Sequence, residues 1–159
     1  MDTIEAKLRD MGHAIPELTP PVGNYVGAVR TGNLVFVSGH GPFRDGAWHY
    51  IGKLGRDMDV DTAREAALLV ALNMLASLKA EIGTLDRVRR IVRLLGMVNS
   101  APDFAAQPKV IDGASDLLVE LFGDRGRHSR SAIGMGALPF GISVEIEMVV
   151  EIDPAEPVT

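Results

Sequence analysis

The sequence contains no cysteine. No disulfide, thiolate nucleophile or cysteine-held metal cluster can therefore form. Long apolar runs are also missing: residues 66–72 and 34–37 are typical, far short of the ~20 residues a membrane span needs. The opening Met1-Asp2-Thr3-Ile4-Glu5-Ala6-Lys7 is charged and amphipathic, unlike the basic-then-apolar pattern of an export signal. There is no basic excess either. Lys and Arg number 16 against 21 Asp and Glu, a formal net charge of −5, which counts against a nucleic-acid partner whose phosphates reward clustered cations. The chain has no GxGxxG, no Gly-rich loop ending in Lys-Ser/Thr, no HExxH and no GxSxG, so none of the chemistries those motifs carry is indicated. A soluble cytoplasmic protein, with neither membrane nor nucleic acid as partner, is expected.

What is present suits one compact domain spanning residues 1–159. The chain is 47% apolar and 23% charged, close to ordinary globular proteins and unlike a disordered polymer. A domain of this length buries roughly 70% of the surface its unfolded chain exposes, enough for a self-sufficient core. Ile4, Leu8 and Met11 fall at helical spacing after a cap at Asp2 or Thr3. Residues 12–23 hold Pro16, Pro20 and Pro21 and read as an extended connector. Apolar runs at 25–29 and 34–38 flank Arg30-Thr31-Gly32-Asn33, which predicts a hairpin. A third short strand is expected over 48–51, after an Asp45-Gly46 turn.

The strongest helix signal runs from about Asp61 to Gly83. Ala63, Ala67, Val70, Met74 and Leu78 form one stripe, and Leu68, Leu72 and Leu75 a second flank, so this helix is covered on more than one side. Residues 87–97 alternate charged and apolar side chains as a strand does. A second helix follows Pro108, carries Val110, Leu117, Leu118 and Leu121, and ends at Phe122-Gly123. Two last strands, 131–137 and 142–152, flank Leu138-Pro139-Phe140-Gly141, a turn with Pro and Gly where turns use them. Residues 153–159 read as a loose tail. The order predicts an α+β domain with an N-terminal helix and both main helices on one sheet face.

The last two strands carry the most chemistry. In residues 130–137 the period-2 rule puts Ile133, Met135 and Ala137 on one face and Arg130, Ala132, Gly134 and Gly136 on the other. A guanidinium beside such a shelf of small residues is placed to hold a carboxylate through two parallel hydrogen bonds. The plainer reading is a solvated arginine on an edge strand with packing glycines. In the final strand Val144, Ile146, Met148 and Val150 face the core, and Glu145, Glu147 and Glu151 share the other side. His13, His40, His49 and His128 share no metal-ligand spacing and read as surface or loop residues. Only His40 and His128 neighbour segments of interest.

Two stretches carry a family resemblance. Gly23-Asn24-Tyr25-Val26 followed by Gly32-Asn33-Leu34-Val35-Phe36-Val37-Ser38-Gly39 resembles the N-terminal signature of the RidA/YjgF reactive-intermediate deaminases. Arg130-Ser131, Leu138-Pro139-x-Gly141 and Val144-Glu145-Ile146-Glu147 resemble that family's second signature. The similarity covers about Pro21 to Glu151. The N-terminal helix and Asp112-Gly113-Ala114-Ser115-Asp116-Leu117-Leu118 resemble the longer-chain branch. This resemblance implies a chorismate-mutase-like fold with a mixed sheet, a homotrimer with clefts between subunits, and cofactor-free, metal-free hydrolysis. The implied substrates are small 2-imino or enamine acids, released as 2-keto acids and ammonia. By position, Arg130 matches the arginine that holds the substrate carboxylate, and Glu145 the glutamate that handles the attacking water or its proton. Tyr25 and Ser38 match pocket-lining residues, and Gly39 a backbone contact. Ser115 falls nearest the family's pocket asparagine. Ala132 stands where many members carry cysteine, but imine hydrolysis needs a water rather than a protein nucleophile.

Three functions are then in view: imine hydrolysis, carboxylate binding without turnover, and a ribonuclease activity attached to some relatives. The net charge of −5 and the absence of paired histidines count against the last. One geometric difficulty accompanies the first. If the last two strands form a plain hairpin, Arg130 lies opposite Val149 and about 13 Å from Glu145. A three- or four-carbon acid cannot span that gap. Either the strands are not neighbours, or the glutamate serving a given Arg130 belongs to another subunit.

Overall fold

The structure is a computed structural model that describes residues 3–154. Thr3 begins the first helix: its hydroxyl accepts the N–H of Ala6 at 3.0 Å, capping α1 (Ile4–Asp10), which buries Ile4 and Leu8. Residues 11–27 contain no helix or strand. The hairpin then forms as β1 (Ala28–Thr31) and β2 (Leu34–His40), turning through Gly32 at φ 58°. β1 starts later than the apolar pattern suggests. Ahead of it, the Ser38 N–H and hydroxyl tie Gly27 O and Val26 O to the end of β2, at 2.9 and 2.6 Å.

The strand expected over 48–51 does not join the main sheet. Asp45 and Gly46 take the positive φ values, 53° and 76°, that close a tight hairpin. They fold β4 (Ala47–Trp48) back onto β3 (Phe43–Arg44) as a separate two-stranded ladder. Ile51 makes only an isolated bridge to Ile142.

Asp59 starts α2 (Val60–Ile82) by accepting the Thr62 N–H at 2.8 Å, and Gly83 at φ 86° ends it. There follow β5 (Val88–Asn99), α3 (Gln107–Phe122), β6 (Ser129–Met135) and β7 (Val144–Ile152). The main sheet runs β1-β2-β7-β5-β6. β5 and β6 are parallel, joined by α3 as a crossover, and every other pair is antiparallel. The sheet is mixed, as expected.

Both main helices cover one face of it. Val35, Val37, Ile91, Leu94, Ile146, Met148 and Val150 meet Ala67, Val70, Met74 and Leu78 of α2 and Ile111, Leu118 and Leu121 of α3 in a single core. α2 packs against both the sheet and α3, and 14 of its 23 residues are buried. It therefore offers no free apolar flank to a partner. The two helices approach backbone to backbone at Gly113, where a Cβ would lie 2.2 Å from the carbonyl oxygen of Arg64. Among the described residues, no helix is long and apolar enough to cross a membrane.

The hairpin expected from the last two strands is absent. β5 lies between β6 and β7. The connection crosses the end of β5 instead of turning back beside β6. It passes through a 3-10 turn at Pro139–Gly141, with Phe140 and Gly141 at φ 60° and 68°. Gly52 N–H bonds Gly141 O at 2.9 Å, Ser143 N–H bonds Tyr50 O at 3.0 Å, and Asn99 N–H bonds Ser143 O at 2.9 Å. Asp153 N–H is bonded to Arg87 O at 2.9 Å, and residues 155–159 of the expected tail lie outside the described residues.

Two substitutions test this packing. Leu75, fully buried in α2, should cost about 2–5 kcal/mol when changed to Ala. Gly113→Ala should cost at least ~2 kcal/mol, because its methyl group must force the helix backbones apart. Urea unfolding measures both, and a loss under about 0.5 kcal/mol for either contradicts the helix arrangement.

Candidate functional site

One group of expected site residues gathers around a bulge. The β2–β7 register shifts between Val37 and His40, so both of these side chains turn toward the helices while Ser38-Gly39 bows out. A Cβ on Gly39 would lie 3.1 Å from Glu145 Oε2, so the carboxyl group packs against bare backbone. Tyr25 shares a small hollow with Gly39 and His40, its phenol oxygen accepting the Val22 N–H at 3.3 Å. Ser38 is tied to Val26 O, as described. His40 is buried and pins the bulge from below. Its Nδ1–H donates to Ser38 O, and its Nε2 accepts the Ser77 hydroxyl at 2.7 Å, a tautomer assigned from these partners. Burial holds its pKa below the ordinary histidine value, so the ring is neutral.

Glu145 faces away from the helices, on the same side as Glu147. Burial pushes its pKa above the ordinary carboxylate range, and the like charge of Glu147 adds to the shift.

A second group forms where β6 meets α3. Arg130 pairs with Leu94 and therefore turns toward the helices. Its Nη1 donates to Asp112 Oδ1 at 2.7 Å and to Ser115 Oγ at 3.0 Å, and its Nη2 to Pro108 O at 3.4 Å. Ser115 in turn donates to His128 Nε2 at 2.9 Å, and His128 Nδ1–H donates to Gly126 O at 2.7 Å. Burial and the nearby Arg130 cation lower the His128 pKa, which keeps the imidazole neutral. Asp112 also lies 4.0 Å from Arg64, itself paired with Asp116 at 2.8 Å. The guanidinium is thus fixed and already faces one carboxylate. An incoming carboxylate meets Nη2 or displaces Asp112.

The two groups stay apart within one chain. Arg130 is level with Leu94, and Glu145 pairs with Met97. Three residues along and two strands across separate their backbones by about 14 Å, and their side chains leave opposite faces. Tyr25, Ser38, Gly39 and Glu145 form one group, and Arg130 and Ser115 the other. The small-residue shelf is partly filled, since Gln107 Nε2 lies 2.8 Å from where a Gly134 Cβ would sit.

Asp112 is a partner of Arg130 that the segment 112–118 did not mark as a site residue. It lies three residues before Ser115, one turn of the expected helix, so the two were bound to share a face with whatever packs there. Among the described residues, none of the large exposed apolar side chains lies on the long helix; several are in loops or turns, such as Leu18, Val22 and Phe140, and others are on the sheet. Val29 (53% exposed), Phe36 (47%) and Ile133 (43%) lie on its uncovered face. A hollow of about 340 Å³ there is bordered by Phe36, Ser38, Arg93, Leu95 and Glu147. Among the described residues, no group of His, Asp and Glu side chains is placed to hold a metal ion.

Residues 5–151 match the family described as "YjgF/chorismate mutase-like, putative endoribonuclease". The chain belongs to the YjgF family. It is 40% identical over 151 residues to Protein TCP17 of Trypanosoma cruzi, with 94% of each chain covered. The crystal structure of a protein of unknown function from Agrobacterium tumefaciens is similar at 45% identity and TM-score 0.89, covering 94% of this chain and 92% of that one. RidA from the Antarctic bacterium Psychrobacter sp. PAMC 21119 is similar at 25% identity and TM-score 0.59, covering 86% and 94%. YjgF membership and the fold thus agree with what the two signatures imply.

Glu145 gives this YjgF chain a testable pH signature. Its folded pKa is raised, so the folded state binds the proton more tightly and the ionised carboxylate opposes folding once pH exceeds the unfolded value of about 4.3. Glu145→Gln should therefore raise the melting temperature at pH 7, and the gain should fade as pH drops toward 4. A gain independent of pH, or none at pH 7, contradicts the burial of this carboxyl group.

Proposed function

We propose that the chain hydrolyses small 2-imino acids to 2-keto acids and ammonia, without a cofactor, in a cleft completed by a second copy of itself. The observation that carries this reading is Glu145, a half-buried carboxyl group seated on the Gly39 backbone with its pKa pushed upward. Such a group, its pKa moved up from that of an ordinary carboxylate, is suited both to take a proton and to return it. Membership of the YjgF family, with a RidA among the similar structures, supports the substrate class.

In this reading Arg130 Nη2 holds the substrate carboxylate, and orientation supplies most of the acceleration. The iminium carbon is already electrophilic. Water attacks C2, a C–O bond forms, the C=N π electrons move to nitrogen, and the water proton passes to Glu145. Glu145 then returns a proton to the amino nitrogen. The C–N bond breaks as the hydroxyl proton passes to Glu145 and the carbonyl forms; the departing ammonia then takes that proton as ammonium, which restores the Glu145 carboxylate. Tyr25, Ser38 and Gly39 border the reacting end. A closed homotrimer uses both groups, each chain setting its Arg130 edge against the Glu145 region of the next. It also covers the apolar face carrying Val29, Phe36 and Ile133.

One observation favours a second reading, carboxylate binding without turnover: Asp112 already occupies Arg130 Nη1. Freshly generated 2-iminobutanoate decides between them, with ammonia and 2-oxobutanoate release as the readout. Wild type should turn over. Arg130→Lys, which keeps the charge but loses the planar fork, should lower kcat/KM by about 10- to 150-fold, or about 1.5–3 kcal/mol. Full activity in that variant removes Arg130 from the site. Binding of 2-oxobutanoate with no turnover by wild type selects the second reading.

A further inference from the structure

A separate cleft of about 510 Å³ opens at the far end of β6, lined by Lys53, Arg56, Phe104, Gln107, Gly134 and Gly136 among others. It lies four to six residues along the strand from Arg130, about 13–20 Å away. Its volume is in the range of small-molecule sites.

Lys53 is what distinguishes it. The ammonium donates to Asn99 Oδ1 at 2.7 Å and to the carbonyl oxygen of Gly136. Both acceptors are neutral. Asn99 is buried, 4% exposed, and its own amide is held to Ile142 O at 3.1 Å, so the ammonium is placed by a fixed partner. A lysine has three N–H donors, and these contacts use two. Among the described residues, no carboxylate forms an ion pair with Lys53. Asp57 is engaged by Arg56 at 3.0 Å and by the backbone N–H of Lys53 at 2.8 Å. A half-buried cation is thus held in position with one donor left and no carboxylate within ion-pair distance, its nearby charge acting on Asp57 only as a minor addition to that of Arg56.

The rest of the cleft suits the body of such an anion. Gly136 presents bare backbone, and a Cβ there would meet no atom within 4 Å. Phe104, partly buried against the core, forms an apolar wall. Gln107 Nε2 is fixed by Phe104 O at 2.9 Å and Ser100 Oγ at 3.3 Å, so its amide borders the floor in one orientation. With the charge of Arg56 met by Asp57, Lys53 leaves the cleft one unmatched positive charge, which fits a monocarboxylate and not a polyphosphate. The flat glycine floor beside an aromatic ring fits a planar apolar body.

We propose that this cleft binds a small organic monocarboxylate with an aromatic or similarly flat apolar body, its carboxylate on Lys53 and its body between Phe104 and Gly136. The site is independent of Arg130 and of the reaction proposed there.

Calorimetric titration of the full chain with phenylacetate tests it, with phenylacetamide as the uncharged counterpart. Saturable binding of phenylacetate at one site per chain is expected, at least tenfold tighter than that of phenylacetamide. Lys53→Met should weaken phenylacetate binding at least tenfold. Should losing the Asn99 partner unfold that variant, Gly136→Val decides, because its side chain enters empty space and blocks the floor. It too should bind at least tenfold more weakly at an unchanged melting temperature, while Arg130→Ala binds within twofold of wild type. No saturable binding, equal affinity for the amide, unchanged binding by Gly136→Val, or loss of binding in Arg130→Ala each overturns the assignment.

Discussion

Residues that oppose each other across a β-ladder project from the same face, so the parallel pairing of β6 with β5 decides where Arg130 points. Level with Leu94, it turns under α3, the helix that makes the crossover. The side chains that meet it there, Asp112 and Ser115, come from that helix. Glu145 is paired with Met97 and leaves the other face. Had β6 paired antiparallel with β7, both residues would belong to one hairpin. The crossover instead distributes them to two parts of the surface, and a site using both has to be assembled from more than one chain.

The two halves differ in how firmly they are built. The bulge end is fixed by buried groups: His40 is hydrogen-bonded to Ser77 on α2 and to Ser38 on the bulge itself. Unmaking either bond would strand a buried polar group, at a cost of about 1–3 kcal/mol. The Arg130 end rests on partly exposed ion pairs, with the Asp112 side chain 40% exposed. Pairs of that kind contribute about 0–1 kcal/mol. A ligand carboxylate can therefore compete for Arg130 without disturbing the fold, whereas the bulge must stay as it is. Arg130 thus sits in an adaptable setting, and Glu145 beside a rigid one.

Much of this was legible in the residues. Thr3, Asp59 and Gly83 cap their helices through local chemistry that a sequence displays directly. The α2 stripe of Ala63, Ala67, Val70, Met74 and Leu78 is wholly buried, as its spacing requires. Gly32 and the Asp45-Gly46 pair mark both tight turns. The partner of β6 was not legible, because alternation tells which residues share a face and nothing about which strand lies alongside. Leu138-Pro139-Phe140-Gly141 has the composition of a hairpin turn, and only the ties of Gly141 to Gly52 and of Ser143 to Tyr50 reveal a crossing. Asp112 reads as a solvated helix charge until Arg130 arrives from 18 residues away. Lys53, alone in a loop, has no spacing that would single it out. Its role depends on Asn99, 46 residues distant.

The central claim is that Arg130 of one chain works with Glu145 of another. Mixing tests it most directly. Arg130→Ala and Glu145→Gln chains, each inactive alone, are unfolded together at equal amounts, refolded, and assayed for ammonia release from 2-iminobutanoate. In a cyclic assembly with random composition, about one boundary in four joins an intact Arg130 to an intact Glu145. The account predicts recovery of about a quarter of wild-type activity in the mixture. No recovery, with mixed assemblies shown to have formed, would mean that each chain carries both residues of its own site and would contradict it.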